Sequence, residues 1–294
     1  MMPRSPSRHR EGLWGALRPW RAIGAMSLLA ALAFGLEAAR AQAPAPPQYP
    51  DWSGQWRVQG GNRWDPTKPA GRDQDAPLTP EYLGIFEASL ADQAIGGPGN
   101  DPRYSCLPTG MPRMMTALTP MEFVVTPSTT FMLFENAMPR RVYTDGRAWP
   151  KYLEPAFVGY SIGKWIDDDG DGRYDVLEIE TRNLKGPRAF EASGLPLHRD
   201  NQTVVMERIY LNKANKNILF DEITTIDNAL TRPWTVTKSY RREYNPFWYE
   251  NNCTENNPHI FIGREGYFIS ADGNLMPIKK DQAPPDLKYF KRPR

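Results

Sequence analysis

From Met114 onward the chain alternates apolar and polar side chains in short runs, each closed by turn-forming residues. The runs are Met121–Thr126, Thr129–Glu135, Arg140–Tyr143, Val158–Ile166, Tyr174–Thr181, Thr203–Leu211, Ile218–Ile226, Trp234–Arg242, Ile260–Ile262 and Tyr267–Ser270. They are rich in Val, Ile, Thr, Phe and Tyr, side chains that fit a pleated, half-buried surface. Pro127-Ser128, Asp145-Gly146, Asn212 to Asn217 and Asp272-Gly273 separate them, and links this short join antiparallel neighbours. Asp51 to Val58 reads as an earlier, first strand. One helical period interrupts the pattern: Tyr82, Ile85, Phe86 and Leu90 share a face, Thr79 suits the N-cap, and Pro80 the first turn. Gly96-Gly97-Pro98 then stops the helix, which is predicted over 80–94. About ten strands and one accessory helix predict an all-β fold, an antiparallel meander β-barrel over residues 51–276. A β-sandwich is the alternative.

The N-terminus has a different character. Arg4, Arg8, Arg10, Arg18 and Arg21 precede a charge-free apolar stretch, Ala22 to Leu36, and Ala39-Arg40-Ala41 follows as a cleavage site. That order predicts a secretory signal peptide over 1–41. The apolar stretch has 15 residues, short of the roughly 20 that a membrane helix needs. A Pro-rich leader, 42–50, and an extended basic tail, 277–294, flank the barrel. Loss of six arginines and two glutamates with residues 1–41 turns the formal charge from +2 to −2. No basic footprint for nucleic acid survives. The expected location is periplasmic or secreted, with no membrane span after signal removal; the sequence leaves the oligomeric state open. The two cysteines, Cys106 and Cys253, suit a disulfide in an oxidising compartment.

The densest chemistry lies between two strands. Trp165 to Glu178 matches the calcium-loop pattern D-x-[DN]-x-[DN]-G-x5-E, with Asp167, Asp169, Asp171, Asp175 and Glu178 as ligands and Gly172 at the turn. Its flanks alternate with a strand period, so the expectation is a β-hairpin holding structural Ca2+ rather than a helix pair. The plain alternative is a solvated acidic turn.

Period-2 counting places Glu222 with Phe220, Thr224 and Ile226, and Glu207 with Val205, Ile209 and Leu211. Arg141 and Tyr143 share a face, with Arg147 beyond the turn. Carboxylates inside a barrel would be desolvated, which raises them towards acid/base range. Glu222, Glu207, Arg141, Tyr143 and His198 are therefore the candidate catalytic set, against a buried Glu–Arg structural network as the bland reading. His198 stands in the aperiodic stretch Arg182 to Asn201, a long loop of the kind that often carries function. Trp56, Trp165 and Trp234, with Arg147, are the candidate ligand-binding residues, although tryptophans more often fill a core. Neither His198 nor His259 has transition-metal spacing, and nucleophile-elbow and dinucleotide motifs are missing.

The blocks Cys106-Leu107-Pro108-x-Gly110-Met111-Pro112-Arg113-Met114, Tyr143-Thr144-Asp145-Gly146-Arg147, Ser161-Ile162-Gly163-x-Trp165 and Arg232-Pro233-Trp234-Thr235 resemble a family of secreted bacterial proteins of unknown function. Gly54-x-Trp56 also resembles the opening of lipocalin-type barrels. The family resemblance covers most of the chain beyond the leader and implies no activity or residue roles. The expected function is binding of a small apolar or aromatic molecule inside the barrel. A cofactor-free hydrolase, lyase or isomerase using the acid/base set is the alternative.

Overall fold

The computed structural model describes residues 49–283 and 285, except 117, 246, 250–252, 254–257, 263 and 264. The expected signal peptide, most of the leader and the end of the tail lie outside the described residues. Nine strands close into a barrel in sequence order: β1 (Gln55–Val58), β2 (Met121–Val125), β3 (Thr129–Phe134), β4 (Arg140–Tyr143), β5 (Tyr160–Ile166), β6 (Val176–Arg182), β7 (Val204–Leu211), β8 (Ile218–Ile226) and β9 (Trp234–Glu243). The helix α1 spans Pro80–Ala94, with the Thr79 hydroxyl accepting from the Tyr82 N–H at its start.

The all-β barrel agrees with the sequence pattern, but it is not a pure meander. β4 and β5 run parallel, pairing Val142 with Ser161 and Tyr143 with Ile162. Parity explains why. In an up-and-down array of nine strands the first and last point the same way, and their closure would be parallel. One parallel junction reverses the count, so β1 and β9 meet antiparallel over Gln55 to Val58. Residues 144–159 carry the chain back to make that junction. Close approach there requires a missing side chain, since a Cβ on Gly163 would lie 2.6 Å from Val142 Cγ1.

The strands expected near the C-terminus do not enter the barrel. β10 (His259–Ile262), β11 (Glu265–Ile269) and β12 (Leu275–Pro277) form a separate three-stranded sheet. It sits on the 3-10 turn Pro102–Ser105, where a His259 ring nitrogen lies 3.2 Å from the Tyr104 carbonyl. Cys106 and Cys253 form the expected disulfide beside that turn.

Inward-facing side chains fill the barrel. Trp56, Met132, Val142, Leu177, Ile209 and Ile223 are completely or almost completely buried, a packed core of the sort small barrels build. Within it lies one ion pair. The Arg140 guanidinium reaches from β4 across to Glu207 on β7, and donates to the Thr181 hydroxyl at 2.7 Å and to Ser161 at 3.1 Å on the way. The two side chains are 1% and 0% exposed. Both guanidinium–carboxylate bonds are formed, one of them at 2.8 Å, so the desolvated charges are neutralised by geometry rather than by water. This is the buried Glu–Arg network that the sequence offered as the bland reading, with Arg140 in place of Arg141.

Removing one partner strands a buried charge, and Arg140→Met or Glu207→Leu alone is expected to cost about 3–5 kcal/mol of stability. The double variant should recover most of that loss in denaturant unfolding. Additive losses would show that the two side chains act independently.

Candidate functional site

Strand parity decides which sequence candidates meet. On β8 the buried positions are Leu219, Asp221, Ile223 and Thr225, so Glu222 faces outward, against expectation. Its carboxylate accepts from the Tyr210 hydroxyl at 2.6 Å, and burial together with Glu222 pushes that phenol up to about 12. On β4 the inward residue is Arg140; Arg141 is exposed. Tyr143 is half-buried, stacks with Tyr160 at 5.0 Å and carries the Arg147 guanidinium 3.8 Å above its ring. Arg147 in turn clasps Asp145 and holds that carboxyl down at about 2. Glu207 therefore lies inside, Glu222 and Arg141 outside, and Tyr143 in a surface cluster with Arg147. The proposed catalytic set is not assembled, because a one-residue change in strand parity moves a side chain to the opposite face.

The expected ligand-binding tryptophans are core. Trp165 packs on Trp52 and Tyr49, Trp234 on Phe190 and Trp64, and Trp56 donates its indole N–H to the Trp52 carbonyl at 3.0 Å. Arg147 instead pairs with Asp145 at the surface.

Parity also reveals polar side chains that the sequence reading missed. Asp221 faces the interior directly across from Lys238 on β9. Lys238 turns away from it and donates to the carbonyls of Trp64 and Arg63, in the loop that closes this end of the barrel. Tyr240, next inward on β9, donates to the Met115 carbonyl at 2.7 Å. Neither Asp221 oxygen has a hydrogen-bond partner among the described residues. Burial, and then the Glu207 charge, push its carboxyl well above the usual range, while Arg140 and Lys238 pull the other way. Burial draws Lys238 down to about 7 against the attraction of Asp221, Asp65 and Glu191. These two residues alternate with Leu219 and Ile223, and with Val236 and Tyr240, the same period-2 signal that located Glu207.

Open space lies elsewhere. A cleft of about 440 Å³ runs between α1, the segment following it and the long loop, with Ile85, Pro187, Pro196, Leu197 and Phe261 as apolar walls. The helix is pinned to the loop by Ser89, which donates to the Ser193 carbonyl at 3.0 Å, and by Gln93, which donates to Ala192 at 2.8 Å. His198 lines the cleft, its Nδ1 2.9 Å from Asp200 and its ring 5.1 Å from that of Tyr82. Arg188 lines it as well, 9% exposed; burial lowers its pKa against Asp227 and Asp200. A second, shallower groove crosses the outer face of β5 to β9, where Trp149, Ile162 and Met206 lie among Lys164, Glu178 and Arg208.

The acidic segment is the β-hairpin expected, with β5 and β6 paired to Ile166 and Val176. Asp167, Asp169 and Asp175 bring one carboxylate oxygen each within 4.8 Å of the others. Asp167 organises the tip by accepting from the N–H groups of Gly170, Asp171 and Gly172. The remaining two expected ligands are engaged differently. Asp171 accepts from the Arg173 N–H at 2.8 Å, and Glu178 lies on β6 3.8 Å from Arg208.

The raised carboxyl of Asp221 sets a pH dependence. The folded chain keeps that proton to a higher pH than the unfolded one, so its contribution to stability is complete below about pH 4 and is lost as pH rises through the folded value. Asp221→Asn should thus match the wild type near pH 4 in denaturant unfolding and exceed it near pH 8; parallel curves would show an Asp221 that ionises normally. No protein-family model matches the chain and no curated protein matches it, which leaves the geometry above to carry the functional reading.

Proposed function

We propose that the protein is an exported β-barrel that binds a small, largely apolar or aromatic molecule in the cleft beside His198, with calcium fixing the β5–β6 hairpin. The observation that carries this reading is the location of space. The barrel interior is occupied by its own side chains, while the cleft joins apolar walls to a few polar groups on the long loop, the usual composition of a small-molecule site. Export is supported by the disulfide between Cys106 and Cys253 and by the order of charges and apolar residues over 1–41. Among the described residues no helix is long and apolar enough to cross a membrane.

Calcium is supported by the three converging aspartates and by the match of the loop to an oxygen-ligand pattern. With Glu178 beside Arg208, the remaining ligands would be backbone carbonyls and water. The acid/base alternative has one feature in its favour, His198 on the cleft wall with its Nδ1 held by Asp200, accepting from the backbone N–H at 3.2 Å and lying 2.9 Å from the carboxylate, since a fixed imidazole is oriented for proton transfer.

Native mass spectrometry of the purified protein is expected to show a bound small molecule that Ile85→Trp displaces and Met206→Trp, in the outer groove, does not. Retention in Ile85→Trp would remove the cleft from consideration. Turnover of that molecule, lost in His198→Ala, would move the assignment to catalysis. Separately, calcium at about 100 times its Kd should stabilise the wild type by about 2.7 kcal/mol and raise its Tm. Asp167→Asn should not respond, and an equal response in both would exclude the hairpin as the calcium site.

A further inference from the structure

We infer that the protein has a second, separate ligand site, a polar pocket beside the Cys106–Cys253 disulfide that takes a phosphate monoester through Arg103 and Arg113. The site starts from the period of the 3-10 turn Pro102–Ser105. Side chains three apart share a face of such a turn. Pro102 and Ser105 accordingly line the cleft beside His198, while Arg103 and Cys106 line a groove on the other side. Asp101 caps the turn by accepting from the Arg103 N–H at 3.0 Å, and it grips the buried Arg113 through both carboxylate oxygens, at 2.6 and 3.0 Å. Arg113 opens a second 3-10 turn, Arg113–Thr116. The Asp101–Arg113 pair clamps the two turns together, and the disulfide holds the end of the first at Cys106.

This framework leaves donors to spare. Arg113 spends two of its five N–H groups on Asp101. The Arg103 guanidinium, half exposed, stands 3.7 Å from Asp101, beyond hydrogen-bond reach. Both arginines line a pocket of about 190 Å³ together with Asn62, Thr109 and Asn136. Asn136 accepts from the Thr119 hydroxyl at 2.8 Å, which leaves its amide N–H groups unspent. The side chains of Asn62 and Thr109 have no hydrogen-bond partner among the described residues. Among those residues no acid lines the pocket, and Asp101 is the only one lining the adjoining groove. Two guanidinium charges therefore face a single carboxylate.

The surplus cation calls for an anion, and the number of donors says which kind. Donors from two arginines, two amides and a hydroxyl exceed what the two oxygens of a carboxylate can accept, whereas a phosphate offers an oxygen in each direction. The shape of the space adds the ester. The small pocket adjoins a groove of about 470 Å³ that shares Arg103, Thr109 and Asn136 as walls and adds Tyr104, Leu107 and Pro108. Tyr104 is 38% exposed there. A phosphoryl group held at the arginines leaves its organic body lying along that ring and the two apolar side chains, which a free inorganic ion would not use.

Isothermal titration of the full chain with phenyl phosphate, inorganic phosphate and phenol, in calcium-free buffer, tests the inference. Phenyl phosphate should bind about tenfold or more tightly than either of the others, and Arg103→Met should weaken it by a similar factor. Arg103 is exposed and unbonded, so this variant is expected to melt with the wild type. Asn136→Asp, which keeps the acceptor for Thr119 but turns the amide into a repelling charge, should weaken phenyl phosphate as well. Ile85→Trp, in the cleft beside His198, should leave it unchanged. Absence of saturable binding, or binding untouched by both Arg103→Met and Asn136→Asp, would overturn the site. Equal binding of inorganic phosphate would overturn the ester, and loss of phenyl phosphate in Ile85→Trp would return the anion to the cleft and overturn a separate site.

Discussion

The structure depends on closing an odd number of strands without a free edge. A sheet edge exposes unpaired N–H and C=O groups, and closure is the one arrangement that removes them entirely. Nine strands close antiparallel only if one neighbouring pair runs parallel, and β4–β5 is that pair. Its pairing is two residues deep, as short as that of β1 with β2. The Arg140–Glu207 contact spans that weak seam from β4 to β7 and bonds Ser161 on β5 and Thr181 on β6 along the way. A buried ion pair is weak evidence for stability by itself. Here it supplies directional bonds across four strands beside a short stretch of backbone ladder.

A closed barrel with a filled interior leaves function to its periphery. The loop after β6 bends over one end, α1 is fastened to it through Ser89 and Gln93, and the C-terminal sheet rests on the turn before Cys106. These are irregular segments on a rigid support, the usual division of labour between scaffold and site. The chain also returns from β12 to the helix, where Lys279 pairs with Asp92 at 2.8 Å and the Lys280 N–H bonds to the Ile95 carbonyl. Cleft walls that come from α1, the long loop and β10 are thereby held by side-chain contacts and by the disulfide.

Much of this was legible in the residues themselves. Turn formers and β-branched runs placed barrel strands β2 to β9 within a residue or two, and Thr79-Pro80 with Gly96-Gly97 bracketed the helix because capping is local chemistry. What was not legible is which alternate set faces inward. On β8 both sets contain hydrophobes: Phe220 and Ile226 on one, Leu219 and Ile223 on the other. Local pattern cannot choose between them; the choice comes from neighbours, since Phe220 packs outside on Tyr210 at 5.7 Å. The same ambiguity exchanged Arg141 for Arg140. Arg188 left no sequence signal at all, because its burial follows from how a loop without periodicity folds. The parallel junction was equally hidden, since nothing in 144–159 announces the direction of the next strand.

The bond between Cys106 and Cys253 encloses every barrel strand from β2 to β9 in one covalent ring. A protease that cuts an exposed turn, the acidic hairpin for instance, would open that ring without releasing a fragment. Both new ends would stay tethered to the same molecule, and the separated strands could re-form their ladder at intramolecular concentration. That topology makes a single nick survivable.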